Sequence, residues 1–115
     1  MHDDNQIFVP PSFMAVFTDA RGRLTEKADA VRTRYELCED LAGHLVEHAQ
    51  TLYHVQAPSE AEILRRIHAG RCTAESGVST AEATWIVTRL AELLVWPCPE
   101  LVVPPPEQPA APEVP

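Results

Sequence analysis

Residues 25–54, TEKADAVRTRYELCEDLAGHLVEHAQTLYH, decide the fold. Within them Val31, Tyr35, Cys38, Ala42, Leu45, Ala49 and Leu52 follow one another at spacings of 4, 3, 4, 3, 4 and 3, an apolar seam that a helix gathers on one side. The spacing predicts a long helix from about Thr25 to His54. Ala42 and Ala49 leave room for a neighbouring helix between Tyr35, Leu45 and Leu52, so close antiparallel packing is expected. The same seam can mediate a homodimer. Two further amphipathic segments in the chain also need a partner surface, which favours a monomer packed on itself.

Downstream of the seam lie two helix starts. Pro58-Ser59-Glu60-Ala61-Glu62 has the pattern of a capping box, with Ser59 accepting from the Glu62 amide and the Glu62 side chain reaching back. Ile63, Leu64 and Ile67 form a narrow apolar stripe on this short helix, and Gly70 is its expected stop. Nine residues, Gly70 to Val78, lead to a second box at Ser79-Thr80-Ala81-Glu82. In the helix that follows, a 100° step places Ala83, Ile86, Val87, Leu90, Leu93 and Leu94 on one side and Trp85, Thr88, Arg89, Glu92 and Trp96 on the other. Its end is expected at Trp96, because Pro97 and Pro99 carry no amide hydrogen. Two tryptophans on the outer face require a cover. Phe8, Phe13, Met14 and Phe17 can supply it for Trp85, whereas Trp96 at the helix end stays available to a partner.

Upstream, Pro10-Pro11-Ser12-Phe13-Met14-Ala15-Val16-Phe17 can open a short helix with proline at its first position and with Phe13 and Phe17 one turn apart. Ile7-Phe8-Val9 can equally be extended. The stretch Asp19 to Gly22 reads as a turn, with Gly22 free to take a positive φ. At the other end, eight prolines in the last nineteen residues, in overlapping PxxP triplets, predict a disordered or polyproline-like tail. The organisation expected is a flexible N-terminus over 1–6, one helical domain over 7–96 and the tail over 97–115. The fold class is all-α: a small three- to four-helix bundle with a short N-terminal apolar segment.

The 115 residues carry a net charge of −8, yet all nine basic residues lie between Arg21 and Arg89, and the segment from Arg21 to Glu92 holds eleven acidic ones. The remaining acidity sits in the flanks, which points to solvated ends rather than to an acidic functional surface. Eight of the nine cations are arginine, a bias that by itself signals no nucleic acid. Three cysteines, Cys38, Cys72 and Cys98, suggest neither a disulfide framework nor a zinc knuckle. The acidic start Met1-His2-Asp3-Asp4 is unlike a signal peptide, and no apolar run reaches the roughly 18 residues that span a bilayer. A cytoplasmic protein with no membrane contact is expected.

The chain offers few chemical constellations. Asp40, His44 and His48 stand at successive i, i+4 steps with Glu47 beside them, a spacing that can chelate a metal. Asp40, His44 and Glu47 lie opposite the seam, so a solvated face is expected and no metal site is assigned. Arg65, Arg66, His68 and Arg71, with Arg89 on the next helix, form the basic concentration. Nine connecting residues are too many for a helix-turn-helix unit, and nucleic acid is not an expected partner. Cys72 beside Arg71 is the nucleophile candidate, with some thiolate character expected, although no base is identifiable. The serines Ser59 and Ser79 are helix caps. The four glycines form no phosphate-binding loop, so no catalytic residue and no cofactor are assigned.

The runs Val9-Pro10-Pro11-Ser12-Phe13, Arg34-Tyr35-Glu36-Leu37-Cys38-Glu39-Asp40-Leu41-Ala42 and Arg89-Leu90-Ala91-Glu92-Leu93-Leu94 resemble those of a family of small uncharacterised bacterial all-helical proteins often labelled "ATPase with chaperone activity". The resemblance covers about residues 7–96 and implies a helical domain, but its motifs are packing patterns and it implies no site residue. The label implies ATP use, for which the sequence has no phosphate-holding element. The function expected is that of a small non-enzymatic cytoplasmic adaptor or regulator that binds a protein partner, with Trp85, Arg89 and Trp96 as the contact candidates. The alternatives are a nucleic-acid-associated regulator using the arginine cluster and a chaperone-linked ATP-using protein.

Overall fold

A computed structural model describes residues 8–56 and 58–101. Among them are four α-helices and no β-strand: α1 over Pro11–Val16, α2 over Ala28–Gln56, α3 over Glu60–Arg71 and α4 over Thr80–Leu94. The N-terminal residues 1–7 and the proline-rich stretch 102–115, for which flexible ends are expected, lie outside the described residues.

Pro11 stands in the first turn of α1, where its missing N–H is not needed. The one-turn spacing of Phe13 and Phe17 brings their rings to 5.5 Å. After α1 the chain reverses through a turn in which Asp19 Oδ1 accepts from the amides of Arg21 and Arg23, and Gly22 takes a φ of +82°. A single antiparallel bridge, Thr18 to Leu24, closes the turn.

Helix α2 is the spine, 29 residues or about 43 Å long. Every seam residue faces inward: Val31, Cys38, Ala42 and Ala49 are buried, and Tyr35, Leu45 and Leu52 are half-buried. Helix α4 lies along it and also meets α1 and α3, so helices of the same chain occupy the seam.

Three helix-end expectations need correction. Ser59 caps α3 by accepting from the Glu62 amide at 3.0 Å, but the Glu62 carboxylate turns away to Arg66, also at 3.0 Å, so the box is only half made. Helix α3 continues past Gly70 to Arg71, and its end is set by Cys72, whose N–H reaches the carbonyls of His68 and Ala69. Helix α4 stops at Leu94, before Trp96, because Val95 adopts the left-handed conformation with φ 58°. Its N-terminal box at Ser79 and Glu82 is reciprocal, as the sequence predicts. Part of the loop between the two helices is a 3₁₀ turn, Ala74–Ser76.

Among the described residues the core has two clusters. In one, Phe13 of α1 meets Val31, Cys38 and Ala42 of α2 and Trp85 and Ile86 of α4. In the other, Ala49 of α2 meets Ile63, Leu64 and Ile67 of α3 and Val87, Leu90 and Ala91 of α4. Full burial of a ring such as Phe13 is worth on the order of 1.5–3 kcal/mol. Helix α4 is enclosed by three neighbours, so its buried arc is wider than the sequence wheel implies. Glu82, Trp85 and Ala91 join the inside, while Leu93 is turned out. Beyond the end of α4, Trp96 and Leu101 pack against the second cluster.

Candidate interaction surface and polar clusters

The two tryptophans have different fates. Trp85 is buried, with the Phe13 ring 5.0 Å and the Tyr35 ring 5.8 Å away, both edge-on. Its indole N–H donates to Ser12 Oγ at 2.9 Å. The N-terminal segment thus provides the cover, through Ser12 and Phe13. Phe8, expected among the covering residues, is 77% exposed.

Arg89 is also committed within the fold. Its Nε and Nη2 form a fork on the Glu39 carboxylate at 2.9–3.3 Å, and Nη1 reaches Glu92 at 3.0 Å. Those hydrogen bonds hold its pKa above the ordinary arginine value. A second fork joins Arg34 to Glu82, with Nε and Nη2 at 2.8 and 2.7 Å from the two carboxylate oxygens, and Nη2 also donates to the Gly77 carbonyl. Burial pushes the Glu82 carboxyl up, but hydrogen bonds from Arg34 and from the Ser79 amide outweigh it and leave the pKa below the ordinary range.

Trp96 lies at the other end of α4. Its N–H donates to the Ala91 carbonyl at 2.9 Å while the Val95 N–H donates to Glu92 at 3.1 Å, the paired bonds of a Schellman cap. The cap folds the indole back toward α2, where it meets the Tyr53 ring at 5.6 Å, tilted by 49°. Around this pair the bundle end is apolar and open: Tyr53 is 41% exposed, Val55 74% and Val95 87%, with Leu93 one turn before Trp96. Sequence reasoning singles out Trp96 but misses Tyr53, which lies one position beyond the seam and whose ring partner is 43 residues away.

The remaining candidates do not assemble. Cys72 Sγ lies 3.6 Å from His68 Nε2, but Thr84 Oγ1 lies 2.9 Å from the same nitrogen. The Thr84 hydroxyl donates to the Thr80 carbonyl, so its oxygen accepts from Nε2–H, and that nitrogen cannot take a proton from the thiol. Burial lowers the His68 pKa and raises that of Cys72, both opposing a thiolate–imidazolium pair. Burial thus works against the thiolate character that Arg71, next in sequence, suggests for Cys72. Cys38 is buried and pushed up to about 12, chiefly by desolvation.

His44 and Asp40 are exposed and 4.0 Å apart. Among the described residues, no three His, Cys, Asp or Glu side chains are placed to hold a metal ion. The basic concentration is dispersed: His68 is buried, Arg66 pairs with Glu62 and Arg89 with Glu39. No helix among the described residues is long and apolar enough to cross a membrane.

Compared with protein-family models, with curated proteins and with solved structures, the chain matches none.

Proposed function

We propose that this chain is a small cytoplasmic binding module, an adaptor or regulator rather than an enzyme, and that it meets a protein partner at the open end carrying Tyr53, Val95 and Trp96. One observation carries the reading. Val95 is β-branched, left-handed at φ 58° and 87% exposed. Glycine is the usual residue at such a helix end, and a β-branched residue there costs about 1–2 kcal/mol. An exposed valine repays little of this through burial in the isolated domain, whereas a partner that covers it would recover the apolar area. Backbone strain kept beside a half-open aromatic pair is the kind of feature that binding sites retain. Three unpaired cysteines support a reducing compartment.

The test uses the full chain as bait in its native cell, beside a Val95→Asp variant. Aspartate tolerates the left-handed conformation better than valine, so the fold is preserved while the surface gains a charge. Near-stoichiometric recovery of a protein by the wild type, lost in a variant of unchanged melting temperature, supports the proposal. The same proteins recovered by both would sink it.

A further inference from the structure

The open end has a candidate occupant in the chain itself. Helix α4 ends in the cap that seats Trp96, and the backbone then passes Pro97 and Pro99 to Leu101, which packs on the same cluster as Trp96. The next fourteen residues, VVPPPEQPAAPEVP, begin at this edge and contain six prolines. Proline rings stack well on exposed indole and phenol faces. A proline-rich segment is also stiff before it binds, so docking orders little chain.

At about 3.1 Å per residue, three to five residues beyond Leu101 span roughly 9–16 Å, while the two rings are 5.6 Å apart. Because the segment follows Leu101, which packs on the same cluster as Trp96, its effective concentration at the rings would be in the millimolar range, and a contact too weak to matter between molecules would be populated within one.

We infer that residues 104–109 of the chain's own C-terminus dock on Tyr53 and Trp96 and compete there with the partner. The competition rests on the partner reading above; the docking contact does not. Binding by a partner then requires displacement of the segment, so the chain sets its own threshold for engagement.

The experiment uses the full-length protein labelled with ¹⁵N and a full-length variant carrying Pro104→Ser, Pro105→Ser and Pro106→Ser. The Trp96 indole N–H signal is the reporter, and the Trp85 signal, held by Ser12, is the control. The variant is expected to shift the Trp96 signal and leave Trp85 in place, with Trp96 several-fold more accessible to a soluble quencher. A synthetic peptide of residues 102–115 added to the variant should return the signal saturably toward its wild-type position. Identical Trp96 signals in wild type and variant overturn the inference. So does a wild-type signal that changes over a tenfold dilution, since it assigns the segment to a second copy. Once a partner is in hand, it should bind the triple variant several-fold more tightly; equal binding to both overturns the competition while leaving the partner surface, tested separately by Val95→Asp, standing.

Discussion

The indole of Trp85 donates a hydrogen bond to Ser12 Oγ across 73 residues of sequence. With the Phe13 ring against it, this bond makes the short helix α1 the lid of one core cluster. Trp85→Ala should therefore destabilise the fold by about 3–5 kcal/mol, the usual range for a buried aromatic. Ser12→Ala should cost about 0.5–1.5 kcal/mol, the net worth of one hydrogen bond. Urea denaturation of both variants checks the pair; equal midpoints for Trp85→Ala and wild type would show that α1 does not close over the ring.

The Arg34–Glu82 fork sets a second expectation. Arg34→Met leaves an almost fully buried carboxylate without its cation, and a loss of about 2 kcal/mol is expected, reduced because the arginine is one-third exposed. Glu82→Gln on that background should recover part of the loss. Glu82 has a lowered pKa, so its stabilisation is present above the ordinary value near 4.5 and disappears as pH falls through the folded value. A double-mutant cycle at pH 7 and pH 3 checks both statements: the coupling energy should be favourable at the first and smaller at the second.

His68 gives a pH dependence in a higher window. Its pKa is lowered from 6.5 by burial, so below that value the unfolded chain takes up a proton that the folded chain resists. Stability should fall as pH drops from 7.5 toward 5. His68→Gln, which keeps a donor for Thr84 without the titration, should flatten that slope. A slope unchanged in the variant would place its origin elsewhere.

These predictions also separate what the sequence makes legible from what it hides. The seam of α2 and the Ser79 box rest on local periodicity and short spacings, and both are present. The inside of α4 is only partly readable, because a wheel assumes one buried side while α1, α2 and α3 enclose this helix together. The two arginine forks join residues 48 and 50 positions apart, and nothing local marks Arg34 or Glu39 as their members. At the candidate site, Trp96 is legible as an aromatic at a helix end. Tyr53 is not, because its partner depends on how far α2 runs beside α4.

Val95 provides the simplest check on strain. Val95→Gly relieves about 1–2 kcal/mol of left-handed cost and adds about 0.5–1 kcal/mol of unfolded-state entropy, so a net gain of up to about 1.5 kcal/mol is expected. The melting temperature should rise, and under the proposed partner contact binding should fall. A variant less stable than wild type would mean that the valine side chain is held by contacts beyond those described.

Helices α2 and α4 run through both core clusters, but α1 belongs to one and α3 to the other, with Leu45 touching each. The molecule thus contains a natural fault line across its middle, and chance has put one fluorophore on either side. Trp85 reports on the half sealed by α1, and Trp96 on the half built around α3. A single protein, with no label attached, can therefore reveal whether its two halves melt as one body or in succession.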